Sequence, residues 1–185
     1  MHIPIVAASG NKGWNIDQNP KKMYFPASFS ANNIISVTAI NNQGERWNSA
    51  SFGRWSVDIA APGSRILSTS PRAEIGDSGK TADYIVASGT SQATAYVTGV
   101  IALLKANKAT SMLNPQSIKR LLLTSGTPLA SLEQTTRSGQ LIQLAGEEGK
   151  GVLTCNNQHF QRRHQPQQDR LFRTPGETVY LEVHK

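Results

Sequence analysis

YIVASGTSQATAYVTGVIALL, residues 84–104, changes its period at the centre. Tyr84, Ile85, Val86 and Ala87 read as a short buried strand, whereas Ala93, Val97, Val100, Ile101 and Leu104 recur at helical spacing. Between them stand Ser88, Gly89, Thr90 and Ser91. A strand that runs directly into an apolar helix predicts an α/β unit. The junction places a hydroxyl among small side chains where the first backbone N–H groups of the helix have no intrahelical partner. A serine there either caps the helix or holds its oxygen beside donors able to stabilise negative charge. On these residues alone, capping is the commoner duty and the reading to prefer.

Working outward, residues 3–8 (IPIVAA) form an apolar run expected to be a strand buried on both faces, as in a parallel sheet covered by helices. Residues 33–40 (NIISVTAI) are a second strong strand. Residues 57–61 are a third, ended by Pro62 and Gly63, and residues 65–68 a fourth. Residues 71–81 read as a surface loop. After the helix expected from Ser91 to Asn107, a second one starts with Asn114 as N-cap and Pro115 at the first helical position, burying Ile118, Leu121 and Leu122. Strands and helices in this order suggest an α/β domain with a mainly parallel sheet. Composition shifts near residue 150, so residues 1–150 are expected to form the domain. Residues 151–185 then form a polar linker and the start of a β-rich extension.

The chain has 185 residues, 38% hydrophobic and 17% charged, which suits a globular domain with a real core. Its net charge of +7 is scattered in pairs such as Lys21–Lys22, Lys119–Arg120 and Arg162–Arg163. Without a basic helix face or aromatic platform, solvated surface charge is expected rather than nucleic-acid binding. The single cysteine, Cys155, excludes an internal disulfide framework and a cysteine metal site. No stretch approaches the roughly 18 apolar residues of a membrane helix. Residues 3–8 are too short for the apolar core of a secretion signal, and no basic segment precedes them.

A second position bears on the serine. The strand at residues 3–9 ends in Gly10-Asn11, and a side-chain amide leaving the carboxyl end of a parallel strand points to where α/β sheets bind ligands. Equally, such an asparagine serves as a turn residue. Taken together the segments resemble the subtilisin-like serine proteases. GTSQA (89–93), followed by TAYVTG and a long apolar helix, looks like that family's nucleophile segment, and IVAASGN (5–11) like its oxyanion-asparagine segment. YFPASF (24–29), NIISVTAI and NSASFGRWSVDIAAPG (48–63) fall between them in the family's order.

The resemblance implies a three-layer α/β fold and a peptidase in which Ser91 attacks a peptide carbonyl. The Asn11 amide and the Ser91 N–H would then hold the oxyanion. It further implies that Ala8, Ser9 and Gly10 form one wall of the pocket for the residue before the scissile bond, with Gly89 and Thr90 also binding substrate and residues 24–27 near the pocket base. No cofactor is required. The resemblance allows calcium in an intact domain, although Asp58, where the family sometimes holds a cation, reads better as an aspartate capping a turn. After Ser91 the family usually has Met-Ala-Ser-Pro-His; here stand Gln92, Ala93, Thr94, Ala95 and Tyr96.

A serine hydroxyl needs a neighbouring base, and the base needs an orienting carboxylate. None of His2, His159, His164 and His184 sits in a His-Gly-Thr-like segment, and none of Asp17, Asp58, Asp77, Asp83 and Asp169 matches the family's aspartate strand. The expectation is therefore the C-terminal half of a peptidase domain. Its partners would be the N-terminal half and a polypeptide substrate, and this chain alone would be inactive. The alternative is an inactive subtilisin-like binding or structural module. A half-domain would leave residues 3–8 and 33–40 short of sheet neighbours and prone to associate. The family works mostly outside the cytoplasm; nothing in the residues assigns a compartment.

Overall fold

The computed structural model describes residues 3–18, 20–74, 81–145 and 151–154. Five strands form the main sheet: β1 (Ile5–Ala8), β2 (Ile34–Ile40), β3 (Ile59–Pro62), β6 (Thr127–Pro128) and β7 (Gln140–Leu141). Their spatial order is β1-β2-β3-β7-β6, parallel from β1 to β7 and antiparallel only at β6. β2 is Ile/Val-rich and every one of its residues is buried, as suits a strand with a parallel partner on each side. The expectation that it would lack a neighbour is therefore wrong.

β1 is the strand on the sheet's free edge. Ile3 and Ile5 are 57% and 40% exposed, so burial on both faces is not what the structure gives. The reason is positional: an edge strand has no second neighbour to cover it.

α1 (Thr90–Ala106) crosses β1, β2 and β3. Ala93, Val97, Val100, Ile101 and Leu104 pack with Ile35, Val37 and Ala39 of β2 in one cluster that also holds Ile118 and Leu122 of α2 (Pro115–Thr124). Asn114 caps α2 as expected, its side chain accepting from the Ser117 N–H at 2.9 Å. Deleting methylenes from such sites costs about 2–5 kcal/mol for a leucine or isoleucine cut to alanine.

The strand that precedes α1 departs from the reading. β5 (Thr81–Ala87) pairs antiparallel with β4 (Ile66–Glu74) in a separate two-stranded sheet. Tyr84, Ile85 and Val86 are 43–47% exposed rather than buried. β4 takes in residues expected to form a loop, and residues 75–80 lie outside the described ones. Apolar content alone does not separate a buried strand from one in a two-stranded ribbon. A last hairpin, β8 (Gln143–Ala145) with β9 (Gly151–Thr154), spans residue 150; residues 155–185 lie outside the description. Among the described residues no helix is long and apolar enough to cross a membrane.

Candidate active site

The start of α1 is seated on the carboxyl end of β3. Gly89 N–H donates to the Gly63 carbonyl at 2.7 Å. A β-carbon on Gly63 would stand 2.5 Å from Ala39 Cβ and 2.7 Å from the Gly89 carbonyl oxygen, so only glycine permits this approach. Ser91, the second helical residue, is exposed, and its hydroxyl has no hydrogen-bond partner among the described residues. It does not cap the helix: the residue in the N-cap position is Gly89, without a side-chain bond.

Asn11 reaches the same place from β1. Its Oδ1 accepts from the Thr90 N–H and from the Thr90 hydroxyl, both at 2.9 Å. Thr90 Oγ1 also accepts from the Gly10 N–H at 3.3 Å. With the carbonyl end of the amide spent on Thr90, the Nδ2 end is turned away from it. A methyl placed on Gly89 would lie 3.2 Å from Asn11 Nδ2 and 3.7 Å from the Ser91 nitrogen. Two donors from segments eighty positions apart thus lie within 3.7 Å of one point at the start of α1. Convergent donors of this kind, aimed where charge develops, are what acyl transfer requires.

The turn bearing Asn11 is held on both sides by Ser51. The Ser51 N–H donates to the Gly10 carbonyl at 2.8 Å, and its carbonyl accepts from Ser9 Oγ at 2.7 Å and Thr38 Oγ1 at 2.8 Å. Ser51 Oγ accepts from the Lys12 N–H at 3.4 Å. The loop carrying Ser51 is in turn clasped by Arg46, whose Nη1 donates to the carbonyls of Trp47, Asn48 and Ala50 and whose guanidinium lies 4.4 Å over the Phe52 ring. Burial holds that guanidinium below its ordinary pKa. Nothing in the sequence singled out Ser51 or Arg46, because the contacts that matter are to backbone carbonyls.

Gly10 adopts φ +107°, and a β-carbon there would meet the Tyr24 ring at 2.6 Å. The ring therefore lies flat on the backbone next to Asn11, placing Tyr24 beside the wall that Ala8, Ser9 and Gly10 were expected to form. Of these, Ser9 is fully buried, its hydroxyl donating to the Ser51 carbonyl and its N–H to the Val37 carbonyl at 3.0 Å, so neither group is open to a substrate. Thr90 is likewise fully buried, turned to Asn11.

Asp58 is not a turn cap. It is 4% exposed; its Oδ2 accepts from the Ser36 N–H at 2.9 Å and meets Lys119 Nζ at 2.8 Å, while Arg137 Nε stands 3.9 Å from Oδ1. Lys119 is accordingly no solvated surface charge; it also donates to the Ile34 carbonyl at 2.7 Å. A carboxylate already neutralised by an ammonium group does not fit a calcium ion, which takes several oxygen ligands. This pair sits at the amino ends of β2 and β3, opposite the Ser91 end. All four histidines lie outside the described residues.

Comparison with known proteins matches residues 2–151 to the Subtilase family. An extracellular protease of Xanthomonas campestris pv. campestris is 34% identical over 122 residues, 64% of this chain and 18% of that protein. An intracellular serine protease of Paenibacillus polymyxa is 33% identical over 150 residues, 79% of this chain and 42% of that one. Among solved structures, the A-subunit of the AB5 toxin from E. coli superposes with a TM-score of 0.61 at 30% identity, covering 75% of this chain and 47% of that one. A lanthipeptide protease shares the fold at a TM-score of 0.63 and 18% identity, covering 76% and 48%. The chain spans less than half the length of these relatives. Fold, segment order and family match agree: the chain belongs to the Subtilase family, the subtilisin-like serine proteases.

Proposed function

We propose that this chain carries the nucleophile and the oxyanion site of a serine endopeptidase, and that the general base and its orienting carboxylate come from polypeptide outside the described residues. The observation that carries the reading is the pair of hydrogen bonds that the Thr90 N–H and hydroxyl donate to Asn11 Oδ1, at 2.9 Å each, which leaves Asn11 Nδ2 to face the start of α1. In this reading Ser91 Oγ forms a bond to the carbonyl carbon of a peptide. The carbonyl π electrons move onto oxygen, and that oxyanion receives hydrogen bonds from Asn11 Nδ2 and the Ser91 N–H. The base takes the serine proton and returns it to the leaving amine. Removing one such donor lowers turnover about 10²–10³-fold, a value that comes from subtilisin as the reference case and is not worked out from this chain.

The free edge of β1 supports a companion segment, since exposed Ile3 and Ile5 offer one more strand a place in the sheet. Losing the histidine alone costs subtilisin, again the reference case, about 2 × 10⁶ in kcat. The 185-residue chain by itself is therefore expected to show no practical turnover of peptides. The test adds a serine-directed phosphonate to the chain alone and to the chain joined to an Asp- and His-bearing segment. Labelling at Ser91 and peptide turnover only in the joined form are expected. Full turnover by the chain alone would refute the missing base, and labelling undiminished in Ser91→Ala would refute the nucleophile. The alternative, a non-catalytic module, draws on the departures at Gln92, Ala95 and Tyr96; a joined form that binds peptide but never labels would favour it.

A further inference from the structure

Gln92 occupies a place that the reaction above does not use. It is half-buried at the third position of α1, and its Oε1 would lie 2.7 Å from a methyl on Gly89, the same point that Asn11 Nδ2 approaches at 3.2 Å and the Ser91 nitrogen at 3.7 Å. The usual duty of a glutamine three residues into a helix is to reach back and accept from the N-cap N–H. Here that N–H already donates to the Gly63 carbonyl at 2.7 Å. The Gln92 carboxamide makes no hydrogen bond among the described residues. A half-buried amide with all its hydrogen-bonding capacity unspent thus ends against the point that the two oxyanion donors approach.

We propose that Gln92 is a third oxyanion donor, one that takes up its orientation during the reaction. The inference rests on the assignment of Asn11 and Ser91 made above. The terminal torsion of a glutamine is broad and roughly two-fold, so half a turn exchanges Oε1 for Nε2 at the same point without moving the rest of the side chain. Before charge develops, the carbonyl end faces the partial positive charge of Asn11 Nδ2 and the helix start. When the substrate oxygen becomes anionic, a carbonyl dipole pointed at it is repelled and an N–H is attracted, which favours the turned amide. A donor that reorients contributes less than one already aimed, so its loss should cost less than loss of Asn11.

The test measures background-corrected hydrolysis of an activated peptide p-nitrophenyl ester by the full chain, a reaction to which oxyanion donors contribute even without the base. Gln92→Met keeps length and removes donors; Gln92→Glu makes donation depend on pH; Asn11→Ala is the reference. Gln92→Met should lower kcat about tenfold with KM within twofold, and Asn11→Ala should lower it more. The rate of Gln92→Glu relative to wild type should fall as pH rises through and above the ordinary glutamate pKa of about 4.3, as the donating acid becomes a repelling carboxylate. Gln92→Met within twofold of wild type, with Asn11→Ala impaired, would overturn the third donor and leave the site assignment standing. A Gln92→Glu ratio flat with pH would show a packing role and overturn it too. If Asn11→Ala matches wild type, or no rate rises above solvent, the site assignment fails and the third donor with it.

Discussion

Thr90→Val tests whether the Asn11 amide is held as the geometry requires. Valine has the shape of threonine, so at this fully buried position no cavity opens and the helix start stays packed. What disappears is the hydroxyl, with its donation to Asn11 Oδ1 at 2.9 Å and its acceptance from the Gly10 N–H at 3.3 Å. Gly10 is buried, and a buried N–H left without a partner costs about 1–3 kcal/mol. Asn11 Oδ1 keeps the Thr90 N–H, so its loss is only the net value of one neutral bond, about 1 kcal/mol. The sum is about 2–4 kcal/mol, and at roughly 2–4 °C per kcal/mol for a chain of this size the melting temperature should fall by about 4–16 °C. Thr94→Val is the control: its hydroxyl bonds only the Thr90 carbonyl one turn back, at 2.8 Å, and the effect should stay near 0.5 kcal/mol or below. Thermal melts followed by circular dichroism give the comparison, and ester hydrolysis by the same samples should fall for Thr90→Val alone. A Thr90→Val chain that melts within 2 °C of wild type (about 0.5–1 kcal/mol by the same scaling), or no lower than Thr94→Val, would refute the wiring of Asn11 through Thr90.

Other expectations concern regions away from the serine. Lys119→Met should destabilise by about 3 kcal/mol in denaturant unfolding, because it leaves Asp58 buried with only the more distant Arg137 beside it; oxyanion-dependent ester hydrolysis by the folded fraction should be unchanged. Since the Asp58 carboxylate is already paired, millimolar calcium or a chelator should move the melting temperature by less than about 1 °C, a shift equal to a few tenths of a kcal/mol. The isolated chain should run as an oligomer on a sizing column, and Ile5→Lys, a charge on the open edge of β1, should shift it toward monomer. A monodisperse wild-type monomer with a cooperative melt would count against the open edge as an association surface.

The parts of the fold that were legible in the sequence are those where local pattern and tertiary role coincide. β2 is apolar and β-branched because it is buried on both faces, and Asn114-Pro115 starts α2 because capping is a local event. β1 and β5 share the same apolar look and fail the same inference: one lies on the sheet edge, the other in a two-stranded ribbon, and composition does not encode how many neighbours a strand has. At the site, residue type alone favoured a cap for Ser91 and a turn for Asn11, and only the resemblance carried by GTSQA and IVAASGN singled the two out. Ser51 and Arg46 did not stand out, since they act on backbone carbonyls that any sequence possesses. Asp58 looked solitary because its partner, Lys119, is sixty-one positions away.

The distribution of these contacts bears on what a companion segment has to supply. Every bond that aims Asn11 comes from within the chain: Thr90 on its carbonyl, Ser51 on the residues before and after it, and Gly63 on the residue that starts the helix. The donors are thus fixed by the packing of β1, β2, β3 and α1, none of which requires a strand on the far side of β1. The exposed edge, by contrast, is the part whose order depends on a neighbour. If the function proposed above holds, orienting the developing oxyanion and supplying the base would be physically separable tasks in this fold. Under the function proposed above, a segment that docked on β1 would have to bring an imidazole and its carboxylate within reach of Ser91, while Asn11 and the Ser91 N–H would already be held in place before it arrived.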